Sequence, residues 1–225
     1  MHAIVRHRWN LSFKQAARLQ RRLRQQLRLQ PPGRRIRRVA GADVAYDGNG
    51  ETLVAAVATF LLPELTLEEL VCARDRVRFP YVPGYLSFRE VPVVLRAMRR
   101  LRRRPDLLLC DGQGWAHPRR FGLACHLGLL LDLPTIGVAK SILVGSHRDP
   151  AQRRGSRAAL LDRGEIVGTA LRTRAGVRPV YISPGHRCDL PWSTRQVLAC
   201  CRGFRLPEPV RRAHLEVTRQ RRAAA

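Results

Sequence analysis

Between Leu107 and Lys140 the chain reads LLLCDGQGWAHPRRFGLACHLGLLLDLPTIGVAK, and this stretch restricts the fold more than any other. Four apolar residues, Leu107 to Cys110, run straight into Asp111, with glycines at 112 and 114. A short continuous apolar run bounded by turn signals is the pattern of a strand covered on both faces. A carboxylate at the exit of such a strand sits at the sheet rim, where α/β proteins place their chemistry. Gly112 and Gly114 permit a sharp turn and the close approach of a ligand. His117, Arg119 and Arg120 follow, then a helix-like segment from Phe121 to Leu131. A second buried strand, Thr135 to Val138, leads to Lys140. One acid and several cations thus converge on one sheet edge, an arrangement suited to a phosphate and a metal.

The chain has 225 residues, enough for one domain with a real core. It divides into a basic N-terminal helix and linker (1–35), a main body, and a basic tail (215–225). Lys plus Arg number 42 against 17 acids, a formal charge of +25. Such an excess repels itself in a compact fold, so a polyanionic partner is its natural counterpart. All but two of the 42 cations are arginine; the exceptions are Lys14 and Lys140. The bland reading is an arginine-biased composition. The sharper one is that a compact ammonium is wanted at the end of the 135–138 strand. The six cysteines form no CxxC pair, and most sit in apolar runs, as expected of reduced thiols in a cytoplasmic protein. The N-terminal residues lack the apolar region of a signal peptide, and no apolar run approaches the ~20 residues of a membrane span.

From Ser12 to Leu29, Phe13, Ala16, Leu19, Leu23 and Leu27 recur at helical spacing behind a Ser12 cap. Ile36–Tyr46, Leu53–Leu62 and Leu67–Val77 read as an antiparallel meander, with a turn at 47–50. Asp43 lies in the first of these strands, among Val39, Ala40, Ala42, Val44 and Ala45. A carboxylate is costly there without a partner. The proline-framed loop Phe79-Pro80-Tyr81-Val82-Pro83-Gly84-Tyr85 restricts its own backbone and presents Tyr81, which suits stacking on bases. The plain alternative packs Tyr81 down on the domain. Ser87 followed by Glu90 fits a capping box, on a helix running to about Arg104. Glu90 is then either a capping residue or a third carboxylate near Asp43 and Asp111. Residues 147–157 read as a mobile, Arg-rich loop. Ile166–Leu171 and Pro179–Ile182 read as strands, 185–187 as a tight turn, and 193–201 and the segment after Leu206 as helices.

Two or three carboxylates on one sheet edge of a strongly basic protein fit a hard divalent cation. Mg²⁺ is typically held by one or two carboxylates plus substrate phosphates. Two such ions ~4 Å apart would stabilise both the attacking and the leaving oxygen of a phosphodiester displacement. Lys140 could add charge to the phosphate, and His117 or His214 could help position water or metal. Three antiparallel strands followed by parallel βα units, with Asp on the first and fourth strands, form the ribonuclease H-like plan. The expected fold is therefore an α/β, ribonuclease H-like mixed sheet flanked by helices.

The segments GADVAY (41–46), FPYVPGYLSFRE (79–90), DGQGWAHPRRFGLACHLGLLLDLPTIGVAK (111–140), GHR (185–187) and FRLPEPVRRAH (204–214) resemble the endonuclease V family of deoxyinosine 3′ endonucleases. The resemblance extends from about residue 36 to 214. It implies a monomeric DNA repair nuclease that depends on Mg²⁺, with Mn²⁺ as a substitute. Such an enzyme flips hypoxanthine out of DNA and cuts the second phosphodiester bond on its 3′ side. By matching position, Asp43, Asp111 and Glu90 would hold metal, and Lys140 and His214 would complete the catalytic set. Tyr81 would be the wedge, flanked by Pro80, Val82 and Pro83. Gly84, Tyr85, Gly112, His117 and Gly122 would contact the lesion, where glycine backbone can bond the base edge. Gln113 departs from the histidine of many relatives. Two other readings are an endonuclease for inosine in RNA and a non-catalytic basic nucleic-acid binder. Purely electrostatic binding gains nothing from buried carboxylates, which argues against the latter.

Overall fold

A computed structural model describes residue 5, residues 7–47 and residues 50–223. The elements follow in the order α1 (Phe13–Arg24), β1 (Arg38–Tyr46), β2 (Thr52–Leu61), β3 (Thr66–Arg76), α2 (Leu86–Arg99), β4 (Leu107–Cys110), α3 (Leu123–Leu131) and β5 (Thr135–Ala139). Then come β6 (Arg157–Asp162), β7 (Glu165–Leu171), β8 (Val180–His186), α4 (Leu190–Ala199) and α5 (Glu208–Arg222). All eight strands form one sheet in the order β3-β2-β1-β4-β5-β8-β7-β6. β1, β4 and β5 are parallel, whereas the pairings on either side of them are antiparallel. The expected mixed sheet is present. Its parallel part is only three strands wide, and an antiparallel β8-β7-β6 wing extends it.

The alternation of strand side chains divides the core into two layers. Leu108 and Cys110 of β4, with Ala40 and Ala42 of β1, pack against α2 and α3. Leu107 and Leu109, with Val39, Ile136 and Val138, pack on the opposite side with α4 and Val210 of α5. β4 is fully buried, as its unbroken apolar run requires. Asp43 and Asp111 continue the phase of Val39 and of Leu107 and Leu109, so both lie on the α5 side. The chain leaves β1 toward β2 on one flank, and β4 leads to β5 on the other. The strand order therefore switches direction at the C-terminal ends of β1 and β4, where such sheets open a crevice.

Several expectations shift. Ser12 does cap α1, in a capping box with Gln15, but the helix ends at Arg24 and not near Leu29. Ser87 lies inside α2, whose N-cap is Tyr85 and has no side-chain cap; Glu90 is therefore not a capping residue. α2 stops at Arg99, and the Arg102–Arg104 run lies beyond it. Residues 185 and 186 belong to β8, not to a turn. Residues 149–156 are mostly exposed but tied to the domain: buried Arg172 donates to the carbonyls of Ala151 and Pro150 and pairs with Asp149. Of the turn expected at 47–50, residues 48 and 49 lie outside the described residues. The six cysteines are free. No helix among the described residues is long and apolar enough to cross a membrane.

Gly41 fixes the approach of α5. A Cβ at this position would lie 2.1 Å from the Pro209 carbonyl carbon and 2.3 Å from Val210 N, both backbone atoms. The start of α5 thus rests directly on β1. Two residues of strand and five of helix both advance by about 7 Å, which brings His214 level with Asp43. Gly41→Ala is expected to push α5 away and cost about 2 kcal/mol or more in denaturant unfolding. A variant as stable as the parent would contradict this packing.

Candidate active site

β1 and β4 pair in parallel with Ala42 opposite Cys110, so the next step of the register sets Asp43 beside Asp111. The Asp111 amide donates to the Ala42 carbonyl at 3.0 Å, holding the exit of β4 against β1. Asp43 is buried; one oxygen accepts from Val44 N at 2.8 Å and the other from His214 Nδ1 at 2.7 Å. Lys140, just past β5, forms an ion pair with Asp111 Oδ2 and reaches within 3.3 Å of His214 Nδ1. Ligand atoms of Asp43, Asp111 and His214 all lie within 4.8 Å of one another. Two buried carboxylates so close need positive charge between them. The Lys140 ammonium supplies part of it here. Burial first, and then the Asp43 charge, push the Asp111 carboxyl up to about 6, with Lys140 opposing. Two oxygen donors and an imidazole around a point that already draws a cation fit a divalent metal ion.

Glu90 comes from the other side of the sheet. It is buried on α2 and accepts a hydrogen bond of 2.6 Å from the Tyr46 hydroxyl. It is not one of the three clustered ligand residues, whereas His214 is. Burial pushes its carboxyl up to about 8; the Tyr46 bond opposes this, and the Asp43 and Asp111 charges add to it.

The lesion-binding candidates divide into a tip and a pocket. Tyr81 is 65% exposed, and Pro80 and Pro83 are exposed beside it, with Val82 half-buried. Tyr81 is thus presented and not packed down. Gly84, Ser87, Gln113, His117, Gly122 and Leu143 line a narrow cavity of about 40 Å³. Gly84 has φ +81°, which strains any side chain there, and a Cβ would also press on the Arg119 guanidinium at 3.0 Å. Tyr85 turns elsewhere: its ring lies 5.4 Å from that of Phe13 on α1, with the Arg119 guanidinium 4.2 Å above it. Gly112 is half-buried beneath Leu123 and is not among the residues lining the cavity.

Among the described residues His117 lies in the pocket wall and not in the cluster of Asp43, Asp111 and His214. Its Nδ1 accepts from Arg119 N at 3.1 Å, so Nε2 carries the proton and donates to Gly84 O at 2.9 Å. Burial, with Arg119 nearby, pulls its pKa down to about 4. A neutral imidazole with both nitrogens engaged is a wall of the pocket, not a ligand for water or metal.

Gln20 was not evident from sequence. Fully buried on α1, it donates to Gly84 O at 3.1 Å and Phe121 O at 3.3 Å and accepts from Arg119 Nε at 2.5 Å. It joins the two segments that carry the Gly84 and Gly122 walls. The available signal was a polar residue on the apolar stripe of α1, beside Ala16, Leu19 and Leu23.

Glu90 and Asp111 both have raised pKa values, so the folded state holds protons that the unfolded chain releases. Their contribution to the stability of the metal-free protein is fully present below about pH 4 and is lost as pH rises through about 6 and then about 8. Glu90→Gln is expected to flatten the upper part of that decline in thermal melts. An unchanged profile would show that Glu90 is not held in its neutral form.

A sequence model of the endonuclease V family matches residues 19–215. An endonuclease V from Roseiflexus sp. is 51% identical over 205 residues, covering 91% of this chain and 91% of the relative. The crystal structure of endonuclease V from Streptomyces avermitilis matches with a TM-score of 0.91 at 45% identity, covering 96% of each chain. Endonuclease V from Ciona intestinalis, solved with a 24mer DNA containing an inosine followed by a ribo-adenosine, matches with a TM-score of 0.80. It is 25% identical, with 92% of this chain and 97% of that one covered.

Proposed function

Because the chain belongs to the endonuclease V family, and is a nuclease by that membership, we propose that it cleaves DNA carrying deoxyinosine. The cut falls at the second phosphodiester bond 3′ to the lesion, leaves a nick and requires Mg²⁺. The observation that carries this reading is the convergence of Asp43, Asp111 and His214 beside Lys140 at the exits of β1 and β4. The inosine-containing DNA bound by the Ciona relative supports the choice of lesion.

Asp43, Asp111 and His214 are the residues that would hold Mg²⁺, with Glu90 approaching from the α2 side. A divalent ion supplies Lewis acidity toward the phosphate and lowers the pKa of bound water. The chain's own groups do the rest. The Lys140 ammonium, paired to Asp111 without DNA, is free to move to a phosphate oxygen once another cation neutralises the carboxylates. In the metal-free protein His214 keeps Asp43 oriented through Nδ1. Tyr81, rigidly presented by its prolines, occupies the gap left by a flipped base. The Gly84–Gly122 pocket, narrow in the free protein, widens to receive the base, and neutral His117 holds its wall without adding charge. The net charge of +25 steers the polyanion to the surface.

A labelled duplex with one deoxyinosine tests this. A nick one nucleotide beyond the lesion on its 3′ side, only with Mg²⁺, is expected, and Asp43→Ala or Asp111→Asn should lower the rate at least ~100-fold while binding persists. Undiminished cutting by Asp43→Ala would contradict the reading. Cutting of an inosine-containing RNA but not of the DNA would assign the chain to RNA.

A further inference from the structure

Among the described residues, four buried side-chain polar atoms have no hydrogen-bond partner: Ser87 Oγ, Arg89 Nε, Gln113 Oε1 and His126 Nδ1. Ser87 and Gln113 line the same cavity, between the Gly84 and Gly122 walls. They are only 2% and 8% exposed. Unsatisfied groups at such depth are disfavoured, and two at one pocket call for a common cause.

The Gln113 amide has a fixed direction. Its Nε2 donates to Ser141 O at 2.9 Å, which leaves Oε1 as the unpartnered atom. That oxygen can only accept. Ser87 Oγ can donate or accept. The remaining walls offer little competition: His117 has both nitrogens engaged, and Leu143 is apolar. The pocket therefore fits a ligand that supplies one donor, next to a second polar atom.

Building on the deoxyinosine reading, we propose that Gln113 and Ser87 are the specificity-determining side chains of this pocket. Gln113 Oε1 accepts the N1–H of hypoxanthine, and Ser87 Oγ donates to its O6. Adenine carries no hydrogen on N1, so the Gln113 oxygen would face a lone pair, and its 6-amino group replaces the O6 acceptor. Deamination creates both features that the pair reads. Guanine shares that edge, so its exclusion falls to the walls.

The test compares kcat/KM on duplexes carrying deoxyinosine or deoxynebularine, a purine with neither N1–H nor O6. The wild type is expected to prefer deoxyinosine by at least ~100-fold. Gln113→Met should lower that ratio at least ~10-fold. Ser87→Ala should melt no lower than wild type, because it removes an unsatisfied group, yet cut deoxyinosine about 10-fold more slowly. A wild-type ratio in folded Gln113→Met, or a wild-type rate in Ser87→Ala, overturns the proposal. Should Gln113→Met fail to fold, Ser87→Ala alone decides, since it introduces no new bulk. A wild-type protein that ignores deoxyinosine would instead remove the functional reading, and this proposal with it.

Discussion

Two carboxylates held side by side and out of water are the constraint on which the rest of the structure depends. Asp43 and Asp111 repel one another in that position, and the fold is arranged to supply and limit a neutralising cation. The parallel pairing of β1 and β4 sets them in register. Gly41 lets α5 rest on the β1 backbone and so delivers His214 to Asp43. β5 ends where Lys140 reaches Asp111. The raised Asp111 carboxyl reports the strain of this arrangement, and Lys140 relieves only part of it. The site costs stability, as expected where function and stability compete.

The lesion pocket follows the opposite electrostatic rule. Its walls are neutral and mostly satisfied: Gly84 O draws donors from Gln20, His117 and Arg119. Arg120, beyond His117, pairs with Asp162 and Glu165 of the β6–β7 hairpin and steadies the loop from outside. A charged, cation-seeking rim thus lies beside a neutral pocket on the same sheet edge. The rim suits phosphate and the pocket suits a base.

Much of this was legible in the sequence, for physical reasons. β4 and β5 are buried on both faces, so their unbroken apolar runs gave them away, and Asp111 at the exit of β4 marked the rim. The meander of β1, β2 and β3 showed in its turns and apolar runs. β6 was missed because it is an edge strand with a single fully buried residue, Leu160, and so has no alternation to read. The partner of the 147–157 loop could not be read locally, because its anchor, Arg172, comes from beyond β7. Ser87 and Glu90 match a capping box by spacing, but the helix begins two residues earlier, which turns Ser87 into the pocket and Glu90 toward Tyr46. Local spacing cannot report such a shift. Nor could it assign His117, whose neutrality depends on burial and on partners from two loops.

Calorimetric titration of Mg²⁺ into the DNA-free protein, compared with Asp111→Asn, tests the central claim most directly. Removing one of two adjacent buried charges should remove most of the drive to bind a cation. The account predicts saturable binding to the wild type that is lost in Asp111→Asn. Equal binding by the two proteins would show that the paired carboxylates do not form the metal site.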